Sequence, residues 1–459
     1  MEQPSSIGNT TNTPKKHSKG VFLNLSSFQM LAMFRRGLFY TFLSIYMRYY
    51  LGLSVTATTL YASIPMVLSS IFQMFVWGRL SDKLQRRRSF IIMGEIIAGT
   101  LLLITYWIHA SISDLKTAGY VIIIGLSIIE IFWSMSNIGW SALVSDLYPS
   151  KERSRVMAQL SSLGGIGRII GIFIGGMLYE GFFNMKFYDG WGFREGALFY
   201  IASLIMYLSV IPMFFVPEGG VKSNSKSKLE SSSEISVFSS NDQKNQEEEQ
   251  EYHYKNLIFT VFIVALVFIN FGRNSIATIY SQYLMIPDLF PQRIDSEIIS
   301  YIANVRSIAT IIFGLLVGFF KKKIGVTKLL MSGIILAILF LGLTTIASLP
   351  WIFIGSFMAG VSEVIIMAAS YEYAASLIPE VKRAKRFGIY NATFFLSWGL
   401  AGTIFIGPIV DSLIAIGHTL IYSYKMAFYL SMIITAVGFL IFLGLAIYRM
   451  RNEKIQEID

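Results

Sequence analysis

The chain has no cysteine and few charged residues. Of its 459 residues, only 14% are Asp, Glu, Lys or Arg, whereas 54% are apolar. The lack of cysteine excludes disulfides, thiol chemistry and thiolate metal sites. The low charge content, together with a mean hydropathy of +0.57, excludes an ordinary soluble surface and is typical of an integral membrane protein.

The net charge of +10 does not indicate a nucleic-acid partner. Lysine and arginine occur in short clusters between apolar segments, where they orient a chain in a bilayer. The four histidines lie in tails, loops or span ends, and the chain contains no phosphate-binding G-x-x-x-x-G-K-[ST] motif. We therefore expect no metal, no cofactor, no enzyme activity and no direct use of ATP.

Twelve apolar segments are long enough to cross a membrane, since about 20 residues at a rise of 1.5 Å span a core of about 30 Å. A polar stretch between the sixth and seventh segments cannot bury enough apolar surface to fold alone and is expected to be a flexible tether. The predicted fold class is an all-α membrane protein with two pseudo-symmetric bundles of six helices. The predicted parts are a tail at 1–24, a bundle at 25–217, the linker at 218–255, a second bundle at 256–448 and a tail at 449–459.

Basic clusters predict the orientation in the membrane. The loops richest in Lys and Arg, such as 86–88 and 321–323, alternate with loops of mixed sign. The positive-inside rule places the basic loops, and both termini with them, in the cytoplasm. The first residues lack the apolar core of a signal peptide. We expect a monomeric, multi-pass protein of the cell membrane, in contact with the lipid bilayer.

Two segments share one pattern. Residues 34–46, FRRGLFYTFLSIY, recur as residues 271–283, FGRNSIATIYSQY, with Phe, Arg, Thr, Ser and Tyr at the same spacing. An arginine held within hydrocarbon is costly and usually functional. Related halves with matched buried charges are what a transporter that alternates about a central site needs.

Residues 78–87, GRLSDKLQRR, resemble the signature loop G-x-L-[AS]-D-[RK]-x-G-[RK]-[RK] of the major facilitator superfamily. Nine of the ten positions fit, and Gln85 stands where the family prefers glycine. Residues 318–325, GFFKKKIG, look like a degenerate second copy. In the superfamily this loop stabilises the state closed to the cytoplasm, although the arginines alone also serve to fix topology. The resemblance implies a gating role for Gly78, Asp82, Arg86 and Arg87.

Charged residues near the middle of spans indicate the substrate path. Spans one, four, seven and ten line the central cavity in the superfamily, so the resemblance places one set of Arg and Glu residues there per bundle. Each glutamate is expected to pair with an arginine of its own bundle. Four arginines and two glutamates leave a positive excess, which Arg35 would enlarge if it also lies inside. The six charges are Arg36, Glu130, Arg168, Arg273, Arg306 and Glu363.

The positive excess favours an anionic substrate, because a guanidinium makes two parallel hydrogen bonds to a carboxylate or phosphate. Arg36 and Arg273 also resemble the arginine pair of organophosphate:phosphate exchangers in the superfamily. For the asparagines near the second arginine, hydrogen bonding between helices is an alternative to ligand contact. The candidate substrate-binding residues are Arg36, Tyr40, Arg168, Asn270, Arg273, Asn274 and Arg306.

Glu130 and Glu363 are candidates for proton coupling, since burial favours a protonated carboxyl and a nearby arginine favours the ionised form. A fixed ion pair is the alternative.

Residues 167–176, GRIIGIFIGG, resemble the fifth-span glycine motif of drug:proton antiporters, with Ile172 in place of proline, and they also suit a tight helix crossing. The favoured function is alternating-access transport of a small organic anion, driven by a proton or solute gradient; the alternative is drug:proton efflux.

Overall fold

The computed structural model describes residues 19–148, 150–181, 189–220, 242–291, 294–378 and 383–456. Within these ranges the chain is built from helices and contains no β-strand. Each predicted span corresponds to one long helix. The helices are α1 Lys19–Ile45, α2 Val55–Phe72, α3 Arg87–Ser111, α4 Leu115–Leu147, α5 Ser150–Tyr179, α6 Ala197–Phe214, α7 Asp242–Ser275, α8 Ser296–Ile324, α9 Val326–Thr344, α10 Leu349–Leu377, α11 Arg383–Ala401 and α12 Leu420–Gln456.

Two of the helices continue beyond a π-helical turn. After α2 the turn Gln73–Trp77 leads into a further helical segment, Gly78–Leu84. After α11 the turn Gly402–Ile406 leads into Gly407–Ala415. Such turns are uncommon and are frequently found at functional sites. These two turns lie in α2 and α11, which contact each other between the bundles, and a further π-helical turn, Tyr46–Tyr50, follows α1.

Eleven helices in the described ranges are long and apolar enough to cross a membrane. The remaining long helix is α1, whose hydropathy is lowered by Arg35, Arg36 and several Ser, Asn and Gln residues. Its 27 residues correspond to about 40 Å, which exceeds the thickness of the hydrocarbon core. It also packs along α5 and α6 within the first bundle. The predicted all-α membrane fold is confirmed, and α1 is the twelfth long helix beside the eleven.

Helix packing follows the division into halves. In the first bundle α1 packs against α5 and α6, α3 against α4 and α6, and α2 against α4. In the second, α7 packs against α11 and α12, α9 against α10 and α12, and α8 against α10. The bundles meet where α5 contacts α8 and α2 contacts α11. Both described chain ends lie on one side, called here the terminal side; the other is the distal side.

The repeated sequence segments hold equivalent places in the two bundles. Directly after α1, the Tyr46 hydroxyl lies 2.9 Å from Nε2 of His109, near the end of α3. In the second bundle the Tyr283 hydroxyl donates to the carbonyl of Thr344, at the end of α9, over 3.0 Å. In each bundle, the last tyrosine of the repeated segment thus binds the end of the third helix. The sequence repeat therefore reflects a structural duplication.

The polar linker is shorter than expected. Helix α7 begins at Asp242, inside the predicted tether 218–255, because Glu, Gln and Lys are good helix formers and extend the apolar helix that follows. At its other end, the Glu218 carboxylate accepts hydrogen bonds from the Ser89 backbone N–H (2.9 Å) and Arg88 Nε (3.0 Å). This contact caps α3. Residues 221–241 lie outside the described part of the chain.

Candidate substrate site

Arginines of both bundles line one space between them. Arg36 and Arg168 are exposed although each lies within a spanning helix, and Arg273 and Arg306 are half-buried. Arg168 of the first bundle interacts electrostatically with Arg36 and, across the interface, with Arg306 and Glu363. Their accessible surface therefore faces a shared cavity rather than lipid.

One glutamate in this space has its expected partner. Glu363 Oε2 accepts hydrogen bonds from Arg306 Nη2 at 2.8 Å and from Arg306 Nε at 3.1 Å. The predicted pairing in the second bundle is thus observed. Within the described ranges, Arg36, Arg168 and Arg273 form no ion pair. In the described part of the chain, three of these four guanidinium groups therefore form no salt bridge.

The two asparagines of α7 have different roles. Asn270 accepts a hydrogen bond from Arg273 Nε at 3.1 Å and donates to Thr393 of α11 at 3.1 Å. Asn274 is 4% exposed and donates to Ser397 of α11 at 2.9 Å. Asn270 orients the arginine, whereas Asn274 joins two helices. The hydrogen bond of Asn274 to α11 agrees with the interhelical alternative, and its contact with a ligand stays a prediction.

The first bundle lacks the expected pairing of its glutamate. Glu130 on α4 is half-buried and, in the described part of the chain, forms no ion pair with Arg36 or Arg168. The Arg36 guanidinium lies 5.3 Å from the ring centroid of Trp133, within the range of a cation–π interaction, and its attraction to Glu130 acts without a salt bridge. Tyr40, one turn after Arg36, is half-buried and stacks on Tyr61 of α2.

A third glutamate, Glu95, was not among the residues expected from the sequence. It lies in the third turn of α3 and is 1% exposed. Its Oε1 accepts hydrogen bonds from Trp133 Nε1 and Ser136 Oγ, both at 2.8 Å. The sequence signal for Glu95 was a carboxylate inside an apolar run. Because this carboxylate lies close to the basic cluster 86–88, it is easily assigned to a helix end.

Arg35 lies over the ring of Trp133, the same tryptophan whose indole N–H donates to Glu95. It is 3% exposed, and its guanidinium carbon is 4.3 Å from the Trp133 ring centroid. Its Nε and Nη2 atoms have no hydrogen-bond partner. With Arg35 and Glu95 included, this region contains five arginines and three glutamates. The excess of two positive charges expected from the sequence therefore remains.

A carboxylate of the second bundle closes the distal side. Asp411, in the segment after α11, accepts hydrogen bonds from the backbone N–H groups of Val55 and Thr56, both at 2.8 Å. These are the first residues of α2, whose unsatisfied N–H groups and dipole favour a negative charge. Asp411 thus caps a helix of the opposite bundle.

Gln282 is a second distal contact and is fully buried. Its amide donates to Thr58 of α2, and its backbone carbonyl accepts from the Tyr49 hydroxyl, each at 2.8 Å. Its side-chain oxygen accepts from Tyr424 of α12, also at 2.8 Å. One residue of the second bundle is thereby bound to α2 and to the segment after α1. Further hydrogen bonds join α5 to α8 through Ser296 and Ser300.

The signature loop lies on the terminal side and is bound within its own bundle. Buried Arg87 donates to Asp82 at 2.9 Å and to Asp146 of α4 at 3.4 Å, while Arg86 is exposed. A Cβ atom on Gly78 would lie 2.8 Å from the Gln73 carbonyl, in the π-helical turn.

The hydrogen bonds between the bundles in the described residues lie in the distal halves of the helices. The cavity therefore opens to the terminal side.

Gln85 adopts a backbone conformation that glycine reaches more easily than other residues. Its φ of 54° and ψ of 30° are left-handed, and its side chain donates to the Asp82 carbonyl at 2.7 Å. At the corresponding place in the second copy, Gly325 has a φ of 80°. The departure from the signature therefore changes the residue and leaves the sign of φ unchanged.

The Major Facilitator Superfamily model matches residues 25–286 and again residues 257–457, so that both halves are covered. The chain belongs to this superfamily. A structure of a mutant of the nucleoside transporter NupG is similar over 93% of this chain and 99% of its own, with 15% identity and a TM-score of 0.70. An inward-facing, occupied bacterial homologue of the human lysosomal transporter Spinster is 15% identical and covers 95% of this chain and 98% of its own, with a TM-score of 0.65. A POT family transporter in complex with 5-aminolevulinic acid is 13% identical over 94% and 98%, with a TM-score of 0.64.

At these identities the similar structures establish the fold alone. A search of curated protein sequences gives no match. As a major facilitator superfamily member, the protein is a multi-pass membrane transporter whose fold serves secondary transport of a small solute.

The glycines of α5 pack this transporter's first bundle and also reach the interface. Cβ atoms on Gly167, Gly171 and Gly175 would clash with the backbone of α1, whereas one on Gly176 would clash with Ser300 of α8. Small residues at fourfold spacing let two backbones approach closely. The motif thus makes a tight crossing inside the bundle, and its last glycine alone of these four faces the second bundle.

Proposed function

We propose that this superfamily member transports a small organic anion, as a monomer in the cell membrane with both termini in the cytoplasm. Alternating access then carries the anion across the membrane through the cavity, which is open to the terminal side in this state. The observation that supports an anion is the set of arginines from both bundles, Arg36, Arg168 and Arg273, that lack carboxylate partners in the described residues.

Charge chemistry favours the anion over a cationic drug. An unmatched guanidinium away from bulk water is costly, and several close together repel one another. A carboxylate or phosphate group would relieve both costs through charge-assisted hydrogen bonds. A cationic amphipathic drug would add to the repulsion, so the drug:proton efflux alternative loses support.

The bridging position of the arginines supplies a mechanism. Arg36 and Arg168 belong to the first bundle, whereas Arg273 belongs to the second and is held by Asn270. An anion bound to both sets would draw the bundles together around itself. Because ligands shift a conformational equilibrium by their differential affinity, this contact favours the occluded state through which the cargo passes. Gradient energy comes from a proton or from a counter-moving solute.

A thermal-stability screen tests the anion class, since a ligand at 100 times its Kd stabilises the folded protein by about 2.7 kcal/mol. Purified protein is heated with carboxylates, phosphorylated metabolites, and neutral and cationic drugs. We expect anions to raise the melting temperature of the wild type and of Arg194→Ala, a change on the exposed distal loop. Arg36→Ala and Arg273→Ala should lose the shift. Stabilisation by drugs alone, or a shift that both variants keep, would contradict the proposal.

A further inference from the structure

We propose that Glu95 binds the proton that drives the transport cycle, and that Arg35 is the cation that displaces it. The proposal rests on the proposed function in that it assumes a gradient-driven carrier. It assigns the coupling site to α3 rather than to the glutamates Glu130 and Glu363.

The surroundings of Glu95 suit the uncharged acid. The side chain is 1% exposed, and its two hydrogen bonds come from neutral donors, Trp133 and Ser136, to a single oxygen. It forms no ion pair with any residue in the described ranges. A buried, unpaired carboxylate costs several kcal/mol, whereas the neutral acid with hydrogen bonds costs far less.

Arg35 lies close to this acid and, in the described ranges, forms no ion pair. It is buried above the ring of Trp133, and two of its nitrogen atoms have no hydrogen bond. Trp133 therefore stands in contact with both the guanidinium and the carboxyl group. A shift of α1 against α3 and α4 that brings Arg35 to Glu95 would complete a charge-assisted pair. In that step the O–H bond of Glu95 breaks, the proton passes to cavity water, and the carboxylate remains paired with Arg35.

The other charges near Glu95 come from few helices. From α1 the facing cation is Arg35, with Arg36 beyond it, and from α4 the facing acid is Glu130, which interacts electrostatically with Glu95. Helix α6, packed on α3, contains no Asp, Glu, Lys, Arg or His. Arg35 is thus the cation, and Glu130 the acid, that lie nearest to Glu95.

The same geometry links the proton to the cargo. Arg36 follows Arg35 in α1, lines the cavity, and lies 5.3 Å from the same Trp133 ring. An anion bound at Arg36 adds negative charge near Glu95 and so favours its protonated form. Because such coupling is reciprocal, protonation of Glu95 also favours anion binding. The arrangement therefore predicts symport of the anion with a proton.

Infrared spectroscopy of the purified protein in lipid nanodiscs tests the proton site without any cargo. At neutral pH we expect the carbonyl band of a buried protonated carboxylic acid in the wild type, in Glu130→Gln and in Glu363→Gln. Glu95→Gln should lack it. Replacement of the cation in Arg35→Gln should raise the pH at which the band disappears, because the carboxylate loses its nearest positive charge. The same band in Glu95→Gln, or no such band in the wild type, would overturn the proposal.

A second readout covers the case in which Glu95→Gln does not fold. The indole N–H vibration of Trp133, assigned by its loss in Trp133→Phe, should shift with pH in the wild type as the acceptor changes from acid to carboxylate. A band that does not respond to pH would also overturn the proposal. Neither measurement uses a substrate, so both outcomes are independent of whether the anion screen finds a ligand.

Discussion

At the scale of single residues, the polar side chains of the spans divide into those that join helices and those that face the cavity. Sequence spacing placed Arg273 and both asparagines on α7 but did not show that Asn274 turns to α11 while Asn270 supports the arginine. That difference depends on which hydroxyl of the neighbouring helix lies opposite, and the chain order does not reveal it. Glu95 was missed for a related reason, because its partners Trp133 and Ser136 come from another helix.

The asparagine pair offers a matched test. Asn270→Ala and Asn274→Ala each remove one buried hydrogen bond to α11, so each should lower the free energy of unfolding by about 1–3 kcal/mol. Only Asn270→Ala also frees Arg273, and it should weaken anion binding while Asn274→Ala does not. Thermal unfolding with and without the anion separates the two effects. Equal loss of binding in both variants would show that Asn270 does not position the arginine.

The left-handed turn of the signature loop predicts a stabilising change. Gln85→Gly should raise the free energy of unfolding by about 1 kcal/mol, because glycine adopts φ > 0 without the clash of a Cβ atom. Gly325→Gln is the matched control in the second copy, where nothing lies within 4 Å of an added Cβ, and it should destabilise through the backbone alone. Melting temperatures of both variants check this. A destabilised Gln85→Gly would mean that the hydrogen bond of Gln85 to Asp82 outweighs the backbone cost.

At the scale of elements, hydropathy predicted all twelve helices, because crossing a bilayer demands a long apolar run. Even α1, with two adjacent arginines, was recognised from its length and from its repeat in α7. Helix ends were less well predicted: α7 begins at Asp242, since polar helix formers carry a helix beyond the bilayer. The tight crossing of α1 and α5 follows from the glycine spacing, but the sequence could not show which neighbour the glycines face.

That crossing predicts a large effect from one methyl group. Gly171→Ala places a Cβ against the Phe34 carbonyl of α1 and should lower the free energy of unfolding by about 1–3 kcal/mol through overpacking. Gly314→Ala, on α8, meets no atom within 4 Å and should be neutral or stabilising, since alanine is the better helix former. Unfolding followed by circular dichroism compares the two. Equal stability of both variants would contradict close packing of α1 on α5.

At the scale of the whole molecule, two related bundles enclose a cavity that is closed on the distal side and open on the terminal side. Asp411 closes that side by capping α2 of the opposite bundle, in the way that the signature Asp82 is expected to act on the terminal side in the reverse state. The sequence indicated the duplication and the terminal loop. It did not indicate Asp411 or Gln282, since their partners in the opposite bundle lie more than 200 positions away in the chain.

A disulfide across the distal contact should stop the cycle. The hydroxyls of Thr59 and Thr403 lie 2.7 Å apart on opposite bundles, and the chain has no cysteine to interfere. Oxidised Thr59→Cys/Thr403→Cys should hold the distal side shut and abolish transport in proteoliposomes, and reduction should restore it. Either cysteine alone should leave transport insensitive to oxidant. Unchanged transport after complete cross-linking would show that the distal contact need not open.

The central claim is that arginines of both bundles together hold an anion as it crosses. Counterflow in proteoliposomes tests it most directly: vesicles loaded with an anion that stabilises the wild type are given a trace of the same anion in labelled form, with no ion gradient. We predict accumulation of label by the wild type and by Arg194→Ala, and a loss of at least tenfold in Arg36→Ala and in Arg273→Ala, equivalent to about 1.4 kcal/mol or more of lost binding. Counterflow at the wild-type rate after both arginines are replaced would contradict the claim.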